Sequence, residues 1–199
     1  MRRVGPEQLD EACAVVRDGG VIVFPTDTVY GLGCDPTCRP AIARIYALKG
    51  RSHEKPLALY FAHVDDLMPY VLADERAVAL ARRFLPGPLT LVVARPAAVD
   101  PYLVDGLPTL GLRVPAHALC EALLEQAGPL AATSANQTGA EPYTGREALH
   151  LVPGADLLLD DGPAPVGVAS TVVDLSQPEP RLLREGTLPY SAILQALGM

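Results

Sequence analysis

Val21-Ile22-Val23-Phe24-Pro25-Thr26-Asp27-Thr28-Val29-Tyr30-Gly31-Leu32-Gly33 begins as a short apolar, β-branched run and stops in small polar residues and glycine. Bounded by Gly19-Gly20 and Pro25, the run is too short for a helix and predicts a buried strand. Thr26, Asp27 and Thr28 then stand at its carboxyl end, where open α/β sheets bind ligands. Gly31 and Gly33 are expected to belong to the turn, letting the backbone approach a ligand or take positive φ. On local chemistry alone, a tight connection whose Thr and Asp satisfy loose backbone groups explains the same residues.

Outward from this stretch the chain alternates. Gly5-Pro6-Glu7 opens a helix that carries Leu9, Cys13 and Val16 on one face. A second helix, Pro40 to Leu48, runs into the basic segment Lys49-Gly50-Arg51-Ser52-His53-Glu54-Lys55. Strands are predicted at Leu57–Phe61, Leu89–Ala94 and Leu110–Val114, with a helix capped by Asp74 and another from Ala116 to Ala127. Leu130-Ala131-Ala132 leads into a second polar turn, Thr133-Ser134-Ala135-Asn136-Gln137-Thr138-Gly139, built like the first. Strands at 156–159, 170–175 and 181–184 and a helix from Pro189 complete the chain. The pattern predicts one α/β domain over residues 1–199, a twisted mixed sheet flanked by helices, rather than a purely doubly wound sheet.

With 199 residues and 49% hydrophobic content, such a domain can bury a core without disulfides or a structural metal. The net charge of -7 argues against a surface-wide nucleic-acid binder, so any basic site must be a local cleft. Four cysteines, no signal-like apolar segment after Met1-Arg2-Arg3 and no run of membrane-spanning length predict a cytoplasmic protein with reduced thiols.

Several chemistries lack their motifs: there is no P-loop, no completed dinucleotide fingerprint and no G-x-S-x-G elbow. Cys34 and Cys38 have no second pair at metal-ligand spacing, so no metal ligands are assigned. What remains suits an anion. Lys49 and Arg51, two residues apart, offer a movable point charge and a planar fork, and Ser134 and Asn136 add neutral donors at the same spacing. A solvated basic loop is the plain alternative.

Taken in order, Pro25 to Gly33, Lys49-Gly50-Arg51, Pro86-Gly87-Pro88-Leu89-Thr90, Leu112-Arg113-Val114-Pro115, Thr133-Ser134-Ala135-Asn136, Ser170-Thr171-Val172 and Leu182-Leu183-Arg184 closely resemble the YrdC family of threonylcarbamoyl-AMP synthases. The resemblance implies a YrdC-like sheet around a basic cleft. It also implies a nucleotidyltransferase that makes L-threonylcarbamoyladenylate and pyrophosphate from L-threonine, bicarbonate and ATP with Mg²⁺. The product would pass to a tRNA threonylcarbamoyl transferase complex for modification at position 37. It implies threonine contacts at Thr28, Tyr60 and Arg113, with the Arg113 fork on the carboxylate, although some relatives carry histidine in place of Tyr60. Lys55, Thr109, Ser134, Asn136 and Arg184 would line the ATP side, Pro142 to Thr144 would touch the nucleotide, and Lys49 and Arg51 would grip phosphates. Asp27 is expected to orient a cation or Lys49. The short stretch after Arg184 predicts no added C-terminal domain. Two readings compete: an RNA-binding module whose Lys and Arg contact backbone phosphate without turnover, and a carbamoyl-adenylate-forming relative of hydrogenase maturation proteins.

Overall fold

The computed structural model describes residues 1–50, 56–71, 73–145 and 154–199. Arg51, His53, Lys55 and His150 therefore lie outside the described residues. Among the described residues ten strands form one mixed sheet, β1 (Arg2–Val4), β2 (Ile22–Phe24), β3 (Gly31–Cys34), β4 (Ala58–Tyr60), β5 (Leu89–Ala94), β6 (Thr109–Arg113), β7 (Leu130–Ser134), β8 (Leu157–Leu159), β9 (Thr171–Asp174) and β10 (Arg181–Arg184). Their spatial order is β1-β8-β2-β3-β7-β4-β6-β5-β9-β10. Parallel pairs (β1/β8, β8/β2, β4/β6, β5/β9) mix with antiparallel ones throughout. The expected mixed sheet is what the chain forms.

Helices α1 (Leu9–Arg17), α2 (Arg39–Lys49), α3 (Val64–Val71), α4 (Glu75–Phe84), α5 (Ala118–Ala127) and α6 (Tyr190–Ala196) divide between the two faces. Strand residues alternate sides, so each face collects its own core. Val23, Leu59, Leu91 and Leu112 pack with Ile42 and Ile45 of α2, Leu67 of α3, Leu80 of α4 and Ile193 of α6. Ile22, Phe24, Tyr60 and Leu130 pack on the other side with Ala12, Cys13 and Val16 of α1 and Cys120, Leu123 and Leu124 of α5. Cys13, Cys34 and Cys120 are buried, and burial pushes the Cys34 thiol up to about 12.

Two boundaries differ from expectation. Gly31 and Gly33 are not turn residues; they belong to β3, pair with Phe24 and Ile22, and are absent from the positive-φ glycines. A Cβ at Gly31 would stand 2.6 Å from Phe24 Cζ, and one at Gly33 2.9 Å from Phe24 Cε1. The close approach that requires glycine is to an aromatic ring, not a ligand. Likewise Thr133 and Ser134 are the end of β7, opposite Leu32 and Gly31. β1 and α3 were not anticipated; three residues are too few for a periodic signal, and Pro69 interrupts the pattern of α3.

Candidate active site

α1 and α5 cover the β8/β2 side of their face and reach across to Leu130 and Tyr60. No described helix covers the same face of β6, β5 and β9, where the outward side chains are mostly small or polar, Gly111, Thr109, Thr90 and Asp174, with Ala58 of β4 beside them and Val92 and Val172 among them. The result is a cavity of about 550 Å³ floored by Ala58, Gly111 and Ala132 and walled by Ala169, Ser170, Val172, Leu107 and Leu183. Such a volume suits a small ligand or nucleotide. The 162–169 loop reaches its wall by pairing with the first polar turn, Val166 N–H to Asp27 O at 3.2 Å and Gly167 N–H to Thr28 O at 2.8 Å.

Arg113, last residue of β6, stands at one end of the cavity opposite Tyr60 of β4. Its side chain is only 3% exposed, and Nη2 donates to Asp27 Oδ1 and to Thr28 Oγ1, each at 2.7 Å. Nη1 is 3.5 Å from the Tyr60 hydroxyl, and the guanidinium lies 5.5 Å from that ring's centroid. Burial opposes the charge, but Tyr60 and Asp27 outweigh it and hold the guanidinium protonated. Nη2 is thus already committed, and Nε is buried with no partner among the described residues, so Nη1 is what Arg113 has to offer a ligand. Thr28 is fully buried and is held by Thr26 at 3.1 Å; it shapes this end by holding Arg113.

Thr109, at the start of the same strand, lies four residues from Arg113, about 13 Å along β6. Ser134 of β7 stands level with Thr109 across β4, whereas Arg184 of β10 pairs with Val172, level with Thr90 and Arg113, and so belongs to the Arg113 end. Arg184 donates through Nε to the Ser170 carbonyl at 2.9 Å and through Nη2 to the Ser170 hydroxyl at 3.2 Å, and that hydroxyl is 2.9 Å from Thr90 Oγ1. No local pattern in the sequence marks Ser170 as part of a site, because its partners are 14 and 80 residues away.

Lys49 is the last residue of α2, with Gly50 at φ 56 turning the chain out of the helix. It is 2% exposed, not part of a solvated loop, and Nζ donates to the Ser134 carbonyl at 2.6 Å and to Asn136 Oδ1 at 2.7 Å. Asn136 Oδ1 also accepts from the Ser134 hydroxyl at 2.7 Å. Lys49 and the second polar turn therefore form one network, while Asp27, expected to orient a cation or Lys49, is paired with the Arg113 guanidinium and not with Lys49. Tyr143 packs its ring on Tyr30, 5.0 Å between centroids, and its backbone pairs with Tyr30 and Ala135, so 142–144 braces both turns. Among the described residues one group, His63, Glu121 and Glu125, brings potential metal ligands within 4.8 Å; it is exposed, and none of the three lines this cavity. No helix among the described residues is long and apolar enough to cross a membrane.

A helix-flanked mixed sheet with a nucleotide-sized cavity on its uncovered half, ended by a buried arginine, defines an α/β protein with a ligand-sized site. The chain belongs to the family of Sua5, YciO and YrdC proteins, whose model, described as "Telomere recombination", matches residues 14–186. It is similar to the threonylcarbamoyl-AMP synthase of Pyrococcus abyssi, 39% identical over 94% of this chain and 56% of the relative. Among solved structures, P. abyssi Sua5 complexed with L-threonine superposes with a TM-score of 0.87 at 37% identity over 99% of this chain and 60% of that one. E. coli YciO gives 0.86 at 28% identity, covering 96% of this chain and 98% of its own. The chain spans little more than half the length of the P. abyssi relative.

Proposed function

We propose that the protein is a threonylcarbamoyl-AMP synthase, a nucleotidyltransferase that joins L-threonine, bicarbonate and ATP into L-threonylcarbamoyladenylate and pyrophosphate for tRNA modification. The supporting observation is that a single cavity holds Arg113, Tyr60 and Arg184 at one end and Thr109 and Ser134 at the other, about 13 Å apart along β6. That spacing accommodates an amino acid beside a nucleotide, and a similar structure was solved with L-threonine.

In the reaction the carboxylate of N-carboxythreonine attacks the α-phosphorus and pyrophosphate leaves. An anion approaching a polyanion needs charge management and positioning more than a base. Arg113 would hold the threonine carboxylate through Nη1, with Tyr60 beside it. Arg184 and Ser134 would face the nucleotide, and Lys49 would act by fixing the Ser134–Asn136 turn and its positive field. Magnesium would supply further charge neutralisation as the complex of ATP's own phosphates. Such an ion keeps waters and takes few protein ligands, which fits a cavity whose described lining contains one carboxylate.

The test is pyrophosphate release from ATP and Mg²⁺ with threonine or bicarbonate omitted in turn. Dependence on both is expected. Release that persists without threonine, or that requires carbamoyl phosphate, overturns the reading.

A further inference from the structure

Asp174 ends β9 facing the cavity, in register with Val92 of β5, whose other neighbour is Gly111 of the floor. Among the described lining residues it is the one carboxylate, against the cations Arg113 and Arg184. Oδ1 accepts from the Ser176 backbone N–H at 2.9 Å, which fixes the carboxylate's orientation. Among the described residues no donor meets Oδ2, and neither Arg181, its partner across the β9/β10 ladder, nor Arg184 pairs with it. A carboxylate with an open oxygen recognises a donor and disfavours phosphate. The phosphates must then lie away from it, and the donors a nucleotide has left are the sugar hydroxyls and the base amine. Val92, Leu107 and Leu183 offer apolar walls nearby for the flat base, and the acid itself sits at the sheet floor beside them.

We infer that Asp174 binds the ribose hydroxyls of the nucleotide and makes the site selective for ribonucleotides over deoxyribonucleotides. The inference rests on the nucleotide reading of the cavity given above. The physical parallel is the acidic residue that accepts from a ribose hydroxyl in dinucleotide-binding sheets.

The experiment measures binding of ATP, 2′-deoxy-ATP, 3′-deoxy-ATP and ITP by calorimetry without divalent metal, for the parent chain, Asp174→Ala and Asp174→Asn, together with threonine-dependent pyrophosphate release. The parent should bind ATP about tenfold or more tightly than at least one deoxy analogue, the worth of a hydrogen bond to a charged group. Asp174→Ala should lose that preference by weakening ATP alone, leaving the deoxy analogue unchanged. Asp174→Asn, which keeps an acceptor for Ser176, should fall between them and guards against a variant that fails to fold. Equal binding of ATP and both deoxy analogues by the parent overturns the inference. So does equal weakening of all nucleotides by Asp174→Ala, a loss confined to ATP-over-ITP preference, or an effect seen only when Mg²⁺ is added. Ribose selectivity without threonine-dependent release would leave this inference standing while sinking the synthase reading; absence of ATP binding sinks both.

Discussion

Asp27 and Arg113 are a buried ion pair 2.7 Å apart, and the functional end of the cavity hangs on them. Removing one partner of such a pair leaves an uncompensated buried charge, which costs more than the pair contributes. Asp27→Asn is therefore expected to lower unfolding stability by about 3 kcal/mol or more. It should also raise the threonine requirement more than the ATP requirement, because Arg113 loses its tether. Denaturant titration and initial rates at varied threonine and ATP check this, and equal changes in both requirements would count against the assignment.

His117 is a second residue whose environment sets a measurable property. Its side chain is 12% exposed, Nδ1 has no partner among the described residues, and burial lowers its pKa against the weaker opposing pull of Asp161, 3.7 Å away, and of Asp27. The folded state thus favours neutral imidazole, while the unfolded chain takes up a proton near pH 6.5. The sign follows from linkage: the contribution of His117 is present above that pH and lost as pH falls below it. His117→Gln should flatten the decline of the melting temperature between pH 7 and pH 5, and an unchanged slope would refute the account.

At the level of elements, the β2/β3 pair shows how a local pattern is redirected by packing. The two glycines read from sequence as a flexible loop, since nothing in a one-dimensional pattern shows an aromatic ring on the neighbouring strand. In the fold, Phe24 lies over both, so Gly31→Ala forces the ring aside. A loss of about 1–3 kcal/mol is expected from this overpacking. Introducing Phe24→Leu into that variant should recover part of it in thermal melts. A Gly31→Ala chain as stable as the parent would show that the ring yields freely. The remaining long elements were legible. Apolar periodicity marked α2 and α5, the cap residue marked α4, and Asp74 does accept from Arg76 N–H at 2.9 Å as an N-cap should. The missed β1 and α3 lacked periodic signal, and Lys49 passed for a loop cation because burial is not written in its neighbours.

Across the whole molecule, the cavity exists because one sheet face is half covered and its exposed half is floored by Ala58, Gly111 and Ala132. Ala58→Leu should project a larger side chain into that space. Such a chain is expected to unfold cooperatively with an unchanged far-UV spectrum, yet to lose about tenfold or more in threonine- and ATP-dependent turnover. Turnover at the parent rate would show that ligands do not use the floor.

The sequence by itself determined the alternation of strands and helices, the mixed sheet, and the order of polar segments that carries the family resemblance, because these follow from short-range periodicity and residue chemistry. Only the tertiary structure decided which groups meet. It gave Asp27 to Arg113, Ser170 to Arg184 and Lys49 to the Ser134–Asn136 turn, across separations of 86, 14, 85 and 87 residues. Such pairings depend on strand order and on which face each side chain occupies, and neither is encoded within any one segment.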